Sequence, residues 1–137
     1  MELKGQCLCG AVQYRVTQEP ISSFYCHCVD CRRSGGSLFH HGLAVARQGF
    51  SHTGDMTVFA SKTDAGRRIK RNFCTQCGSG MFNELEHRPD HIMLKAGTLN
   101  ELPADLAPTK EVWARSKAPW LDTGDLMESH AAGSPPK

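Results

Sequence analysis

Seven cysteines are the residues of this 137-residue chain whose types and spacing could do chemistry. They stand in three groups: Cys7-Leu8-Cys9, then Cys26-His27-Cys28-Val29-Asp30-Cys31, then Cys74-Thr75-Gln76-Cys77. A Cys-x-x-Cys pair at the end of a strand can turn both sulfurs toward one ion, and Gly78 directly behind it suits the tight turn this needs. Such a pair supplies half of a tetrahedral zinc site. Residues two apart on a strand point the same way, so Cys7 and Cys9 are expected to clamp one ion together and supply the other half. Cys7, Cys9, Cys74 and Cys77 would then form the four-thiolate set of a structural zinc, tying the start of the chain to a late hairpin.

The remaining three sulfurs call for different chemistry. Cys26 and Cys28 are expected on one strand face, with Cys31 curling back within one turn to meet them. Three ligands from one short segment leave a fourth position for an outside ligand, the arrangement of a reactive zinc. Three thiolates leave net negative charge on the zinc unit. It is then a weaker Lewis acid than a histidine-held ion, yet still able to lower the pKa of an incoming thiol or water. Soft sulfur donors favour zinc over magnesium, calcium or manganese. Two Zn2+ per chain are therefore expected. Two other readings of the trio stay open: closure into a second structural site by His27, His40 or His41, or three free thiols in a redox relay. Alternation along a strand turns His27 away from its cysteine neighbours and makes it the poorest of those donors.

The elements that must position these thiols are short. Gly10 to Val16 alternates in strand fashion, with Val12, Tyr14 and Val16 on one face. Ser22 to His27 follows the break at Pro20, and Leu38 to Arg47 is a longer extended run. Phe50 to His52 leads into a Thr53-Gly54-Asp55 turn, after which Met56 to Ser61 reads as the second arm of a hairpin. Ile69 to Phe73 runs into Cys74, Gly80 to Leu85 leaves the turn at Gly78, and His91 to Lys95 places Ile92 and Leu94 together. Helical signal is confined to Cys28–Ser34 and Leu106–Arg115, each enough for a turn or two. The pattern predicts a mainly β, antiparallel protein with little helix. Residues 1–124 are expected as one zinc-binding domain and 125–137 as a flexible tail lacking apolar pattern.

Composition sets the outer limits. Hydrophobic residues make up 39% and charged residues 22%, a somewhat lean core that a metal staple would help. A net charge of +2 is too small to draw in nucleic acid or an anionic membrane, and basic and aromatic residues are not interleaved as on a strand-binding surface. No apolar run approaches bilayer-spanning length, and MELKGQCLCG has no apolar signal core. A cytoplasmic, reducing setting is expected, in which an odd number of thiols at these spacings binds metal. No heptad or long apolar stripe indicates an oligomeric state.

Three stretches carry a resemblance: Gly5-Gln6-Cys7-Leu8-Cys9-Gly10-Ala11-Val12, Cys26-His27-Cys28-Val29-Asp30-Cys31-Arg32 and Phe73-Cys74-Thr75-Gln76-Cys77-Gly78-Ser79. With Lys117-Ala118-Pro119-Trp120 as a C-terminal signature, the chain resembles the glutathione-dependent formaldehyde-activating enzyme family from Gly5 to about Asp122. The resemblance implies a β-tent fold, small antiparallel sheets meeting over a structural zinc held at Cys7, Cys9, Cys74 and Cys77. It implies a catalytic zinc at Cys26, Cys28 and Cys31. The type reaction joins glutathione to formaldehyde, giving S-(hydroxymethyl)glutathione, and is classed by its reverse as a carbon–sulfur lyase.

A thiol substrate would bind at the open zinc position and attack a carbonyl carbon beside it. His40, His41 or Arg32 could assist the alkoxide. Regular strand geometry lets only one of the two histidines enter the site. Glutathione carries two carboxylates, for which Arg32 and Arg33 are the nearest forks. The basic run Arg67, Arg68, Lys70 and Arg71 reads as a solvated strand, and Trp113 and Trp120 as core packing. The expected partners are thus a small thiol and a small aldehyde. The alternative is a zinc-stabilised binding or chaperone-like module without catalysis.

Overall fold

Alternating apolar residues set the strands. Val12, Tyr14 and Val16 are all buried, while Gln13 and Arg15 between them face out. The structure is a computed structural model that describes residues 1–125 and 127–133. Its strands, in chain order, are β1 (Leu3–Gln6), β2 (Gln13–Val16), β3 (Ser22–Cys26), β4 (His40–Ala46), β5 (Phe50–Thr53) and β6 (Met56–Lys62). There follow β7 (Arg68–Cys74), β8 (Gly80–Leu85), β9 (His91–Lys95), β10 (Lys110–Val112) and β11 (Glu128–Ser129), and one short helix, α1, covers Val29–Gly35. Strand accounts for 42% of the described residues and helix for 14%, mainly β as the sequence predicts. Among the described residues no helix is long and apolar enough to cross a membrane.

The chain divides into two units. The first comprises Met1–Ile21 and Leu43–Leu102. It contains an antiparallel sheet in the order β1-β2-β5, with Leu3 opposite Val16 and Val16 opposite Phe50. It also contains β4 from Leu43 onward, followed in the same sheet by β9, β8, β7 and β6. Val12, Val16, Leu43, Val45, Met81, Ile92 and Leu94 are fully buried in this unit, each contributing about 1.5–3 kcal/mol of transfer free energy. Phe50 bridges between Tyr14 and Phe82, at ring separations of 5.8 and 5.0 Å. The β7–β8 register slips between Asn72 and Phe73, which face Phe82 and Gly80, so Met81 is the extra residue of a bulge in β8 opposite the end of β7.

The second unit comprises Ser22–Gly42 and the described residues from Pro103 onward. Here β10 runs parallel to β3, with Lys110, Glu111 and Val112 opposite Phe24, Tyr25 and Cys26. On its other side β10 pairs in parallel with β11. These two pairings depart from the all-antiparallel expectation.

Several local expectations need correction. The Leu106–Arg115 stretch is not a helix; it holds β10 between 3-10 turns at Ala104–Leu106 and Ala114–Ser116. Its backbone is recruited by β3 and β11, which no local pattern announces. The Thr53–Asp55 turn does not close a hairpin, because β5 pairs with β2 while β6 pairs with β7. Trp120 is 75% exposed and so is not core. Trp113 holds a left-handed backbone (φ 57°), and the Arg115 guanidinium stacks 4.7 Å over its ring. Of the stretch expected as a tail, Glu128 and Ser129 form β11, and residues 126 and 134–137 lie outside the described residues.

Gly54 is the point where the chain leaves the β2–β5 sheet for β6. Its φ is +95°, and a Cβ there would lie 2.1 Å from the Ala11 carbonyl oxygen. The neighbour is backbone and cannot swing away. Gly54→Ala should therefore destabilise the protein by about 3 kcal/mol, read as a lower urea midpoint at unchanged slope.

Candidate functional site

The four-cysteine cluster lies wholly within the first unit. β1 ends at Gln6, and Cys7 to Cys9 form a turn rather than the strand expected of them. The turn still turns both sulfurs to one side, with Cys7 Sγ and Cys9 Sγ 3.6 Å apart. From the other end, β7 delivers Cys74, and the following turn at Gly78 (φ +78°) folds Cys77 back. Cys9 Sγ lies 3.8 Å from Cys74 Sγ, and all four sulfurs lie within 4.8 Å of one another. A tetrahedron with Zn–S bonds of about 2.3 Å has edges of about 3.8 Å, so the sulfurs already match a zinc coordination shell. All seven cysteines are free thiols.

Backbone donors point at this cluster as they do at thiolates. The Val12 N–H donates to Cys7 Sγ at 3.2 Å and the Cys77 N–H to Cys74 Sγ at 3.5 Å. Burial alone would raise the Cys7 pKa, but the Val12 N–H and the neighbouring thiols bring it below the ordinary value. The Ser79 hydroxyl and amide bring Cys77 down to about 5. Ser79 also accepts the Leu8 N–H at 3.1 Å and so joins the two halves of the cluster. Sequence spacing did not single it out.

The three-cysteine cluster lies wholly within the second unit. Cys26 ends β3, Cys28 caps the N-terminus of α1, and Cys31 stands in the first turn of that helix. Cys28 is thus a helix cap and not a strand residue sharing a face with Cys26. Its sulfur accepts the Cys31 N–H at 3.3 Å, a role usually taken by Ser, Thr, Asp or Asn. The helix is stopped by Gly36 in left-handed conformation, whose N–H donates to the Arg32 carbonyl. The three sulfurs lie within 4.8 Å of one another, and no histidine nitrogen or carboxylate among the described residues joins them. Closure by His27, His40 or His41 is therefore not what the structure shows.

Each histidine is otherwise engaged. His27, fully buried, bonds Glu111 Oε1 at 2.8 Å. His40 is buried edge-on to Phe24. His41 is half-buried against Tyr25, and its Nε2 lies 2.8 Å from Ser23 Oγ. Ser23 gives its one hydroxyl proton to the Leu106 carbonyl, so His41 Nε2 must be the donor and Nδ1 carries the lone pair. Burial lowers the His41 pKa, which keeps the ring neutral. Arg32 and Arg33 are exposed on the last turn of α1.

Within the trio the protons are shared unequally. S–H donors on Cys26 and Cys31 bring Cys28 down to about 2, while the neighbouring Cys28 sulfur pushes Cys26 up to about 12. Cys31 is pushed up by both neighbours. Cys28 is thus the first of the three to ionise, Cys26 and Cys31 hold their protons the longer for it, and a cation among the sulfurs favours the loss of those protons.

The family model of the glutathione-dependent formaldehyde-activating enzymes matches residues 2–116. A Halomonas elongata protein, provisionally named a glutathione-dependent formaldehyde-activating enzyme, is 29% identical over 90 residues, 60% of this chain and 55% of that relative. The match thus spans about half the length of that curated relative. A solved Rhodobacter sphaeroides protein superposes with a TM-score of 0.62 over 80% of this chain and 99% of its own, at 23% identity, and shares the fold.

Because two protons must leave, metal uptake at the trio should be steeply pH-dependent. Protons compete with the ion, so affinity should rise with pH, by about a hundredfold per unit near neutrality. Chelator competition between about pH 6 and pH 7, together with direct proton release on zinc addition, checks this; a slope of one proton or fewer would contradict the charge distribution.

Proposed function

Because the chain belongs to the glutathione-dependent formaldehyde-activating enzyme family, we propose that it joins a small thiol, glutathione or one like it, to formaldehyde or a related small aldehyde. In this reading Zn2+ is held by Cys26, Cys28 and Cys31, and a second, structural Zn2+ by Cys7, Cys9, Cys74 and Cys77. The observation that carries the reading is the unequal donor count: four converging sulfurs in one cluster and three in the other. A sulfur-held Zn2+ with one place for an outside ligand would supply the acidity that ionises a substrate thiol at neutral pH.

The chain's own groups fit the remaining steps. His41, neutral and with its lone pair on Nδ1, is suited to take the thiol proton and return it to the oxygen of the adduct. His40 is only 8% exposed, which makes it the poorer of the two adjacent histidines for this task. The sulfur bonds to the carbonyl carbon, the C=O π pair moves to oxygen, and the thiol proton ends there as the hydroxyl of an S-(hydroxymethyl) adduct. Atoms balance without any further reactant. The reverse reaction breaks the carbon–sulfur bond, which makes the activity that of a carbon–sulfur lyase. Exposed Arg32 and Arg33, one helical turn from Cys28, suit the carboxylates of a glutathione-like thiol. A cytoplasmic setting, where thiols stay reduced, accords with seven free cysteines.

Exchange NMR of a glutathione and formaldehyde mixture tests the activity. The zinc-loaded protein should accelerate adduct exchange, and Cys28→Ser should lose at least about a hundredfold of that acceleration while keeping one zinc per chain. Equal exchange with wild type, Cys28→Ser and no protein would remove the enzymatic reading and favour a zinc-stabilised binding module.

A further inference from the structure

His27 lies between two sulfurs of the trio, yet its side chain points away from them into a closed polar cluster. Its Nε2 meets Glu111 Oε1 at 2.8 Å, and since an ionised carboxylate only accepts, Nε2 carries the proton. The Thr123 hydroxyl donates to the same oxygen at 2.9 Å. Lys117 Nζ lies 3.3 Å from Oε1 and 3.4 Å from Oε2 and also donates to the Thr123 hydroxyl. Glu111 and His27 have side-chain exposures of 5% and 0%. A buried carboxylate is costly unless its lone pairs are filled, and here hydrogen-bond donors and a cation fill them.

The same strand grips His27 through its backbone. β10 runs parallel to β3 with Val112 opposite Cys26, and the His27 N–H donates to the Val112 carbonyl at 3.1 Å. His27 is therefore held at two points by consecutive residues, Glu111 through the ring and Val112 through the main chain. With its ring and amide both fixed, the residue has little freedom to rotate the peptides that join it to Cys26 and Cys28. Those peptides determine where the two flanking sulfurs point.

We propose that Glu111, secured by Lys117 and Thr123, is a positioning residue for the three-cysteine metal site, acting through His27 to aim Cys26 and Cys28 at one ion. The proposal rests on the reading that the trio binds metal, and it goes beyond that reading by assigning a role to residues that touch neither metal nor substrate. Its closest physical parallel is the outer carboxylate that orients a ligating histidine, except that here the carboxylate orients the residue between two ligating cysteines.

The four-cysteine site, in the other unit, serves as an internal control. Cadmium-113 NMR distinguishes a four-sulfur from a three-sulfur site, so both can be followed in the same sample while cadmium is withdrawn by a competing chelator. Glu111→Ala should weaken the three-sulfur site by about ten- to a hundredfold and leave the four-sulfur site unchanged. Glu111→Gln, which keeps an acceptor for His27 Nε2, should recover part of that loss. The Glu111→Ala/His27→Ala pair should lose no more than His27→Ala alone, because both act along one route. An unchanged three-sulfur site in Glu111→Ala, an equal loss at both sites, or additive losses in the double variant would each overturn the proposal. Should Glu111→Ala fail to fold, Glu111→Gln against His27→Ala decides it: the proposal requires the glutamine variant to hold cadmium more tightly. Wild type binding only one cadmium would instead overturn the underlying metal reading.

Discussion

Sulfur crowding is the constraint to which the rest of this structure answers. Thiols brought within 4.8 Å of one another cannot all ionise without a cation between them. In the half-buried trio, two thiolates about 4 Å apart repel by about 4 kcal/mol at an intermediate effective dielectric constant. In the bare cluster Cys28 therefore ionises most readily, and Cys26 and Cys31 are pushed the other way. A chain has no reason to converge seven thiols in this way for packing alone, since a thiol is a small hydrophobe that a valine or alanine could replace. The turn at Cys7–Cys9, the left-handed Gly78 and the Cys28 helix cap all place sulfur where an ion would neutralise it.

The two clusters solve this problem in different surroundings. The four sulfurs of the first unit receive backbone N–H groups and the Ser79 hydroxyl, neutral donors suited to a closed thiolate set. Behind the trio, at one remove through His27, stand charged groups, the Glu111 carboxylate and the Lys117 ammonium paired with it. Burial would raise the Glu111 carboxyl, but Thr123, His27 and Lys117 hold it below the usual carboxylate range, so it stays ionised at neutral pH. A fixed charge of this kind orients its partner without competing for the metal.

Which cysteines converge is legible in the sequence because it depends on local spacing, whereas the path of the backbone between them is not. The spacing of Cys7 and Cys9 groups them because residues two apart share a strand face, yet they occupy a turn. The conclusion survived because a turn, like a strand, can bring two side chains to one side. Val12, Tyr14 and Val16 were readable as one buried face because burial on a half-solvated strand imposes alternation. By contrast, β10 has only three residues and no alternation; its conformation is dictated by β3 and β11. The turn at Gly54 was visible, but whether it folds β6 back onto β5 depends on β2 and β7. Glu111 left no signal because its significance lies in a histidine 84 residues away.

A three-sulfur donor set is also physically suited to the chemistry proposed for it. Adding a thiol to formaldehyde is readily reversible and needs a good sulfur nucleophile more than a strongly polarised carbonyl. A dication held by Cys26, Cys28 and Cys31, with net negative charge on the unit, would withdraw less electron density from a fourth sulfur than a histidine-held ion, and so would leave that sulfur more of its nucleophilicity. A substrate thiolate would add to the negative charge of that site, and a neutral thioether would be the weaker ligand for it. Binding, attack and release would thus favour one another at such a site, and the residues that remain for the protein to supply are those that move a proton and hold carboxylates. His41 with its lone pair on Nδ1 and the exposed pair Arg32 and Arg33 are of the right chemical types for both.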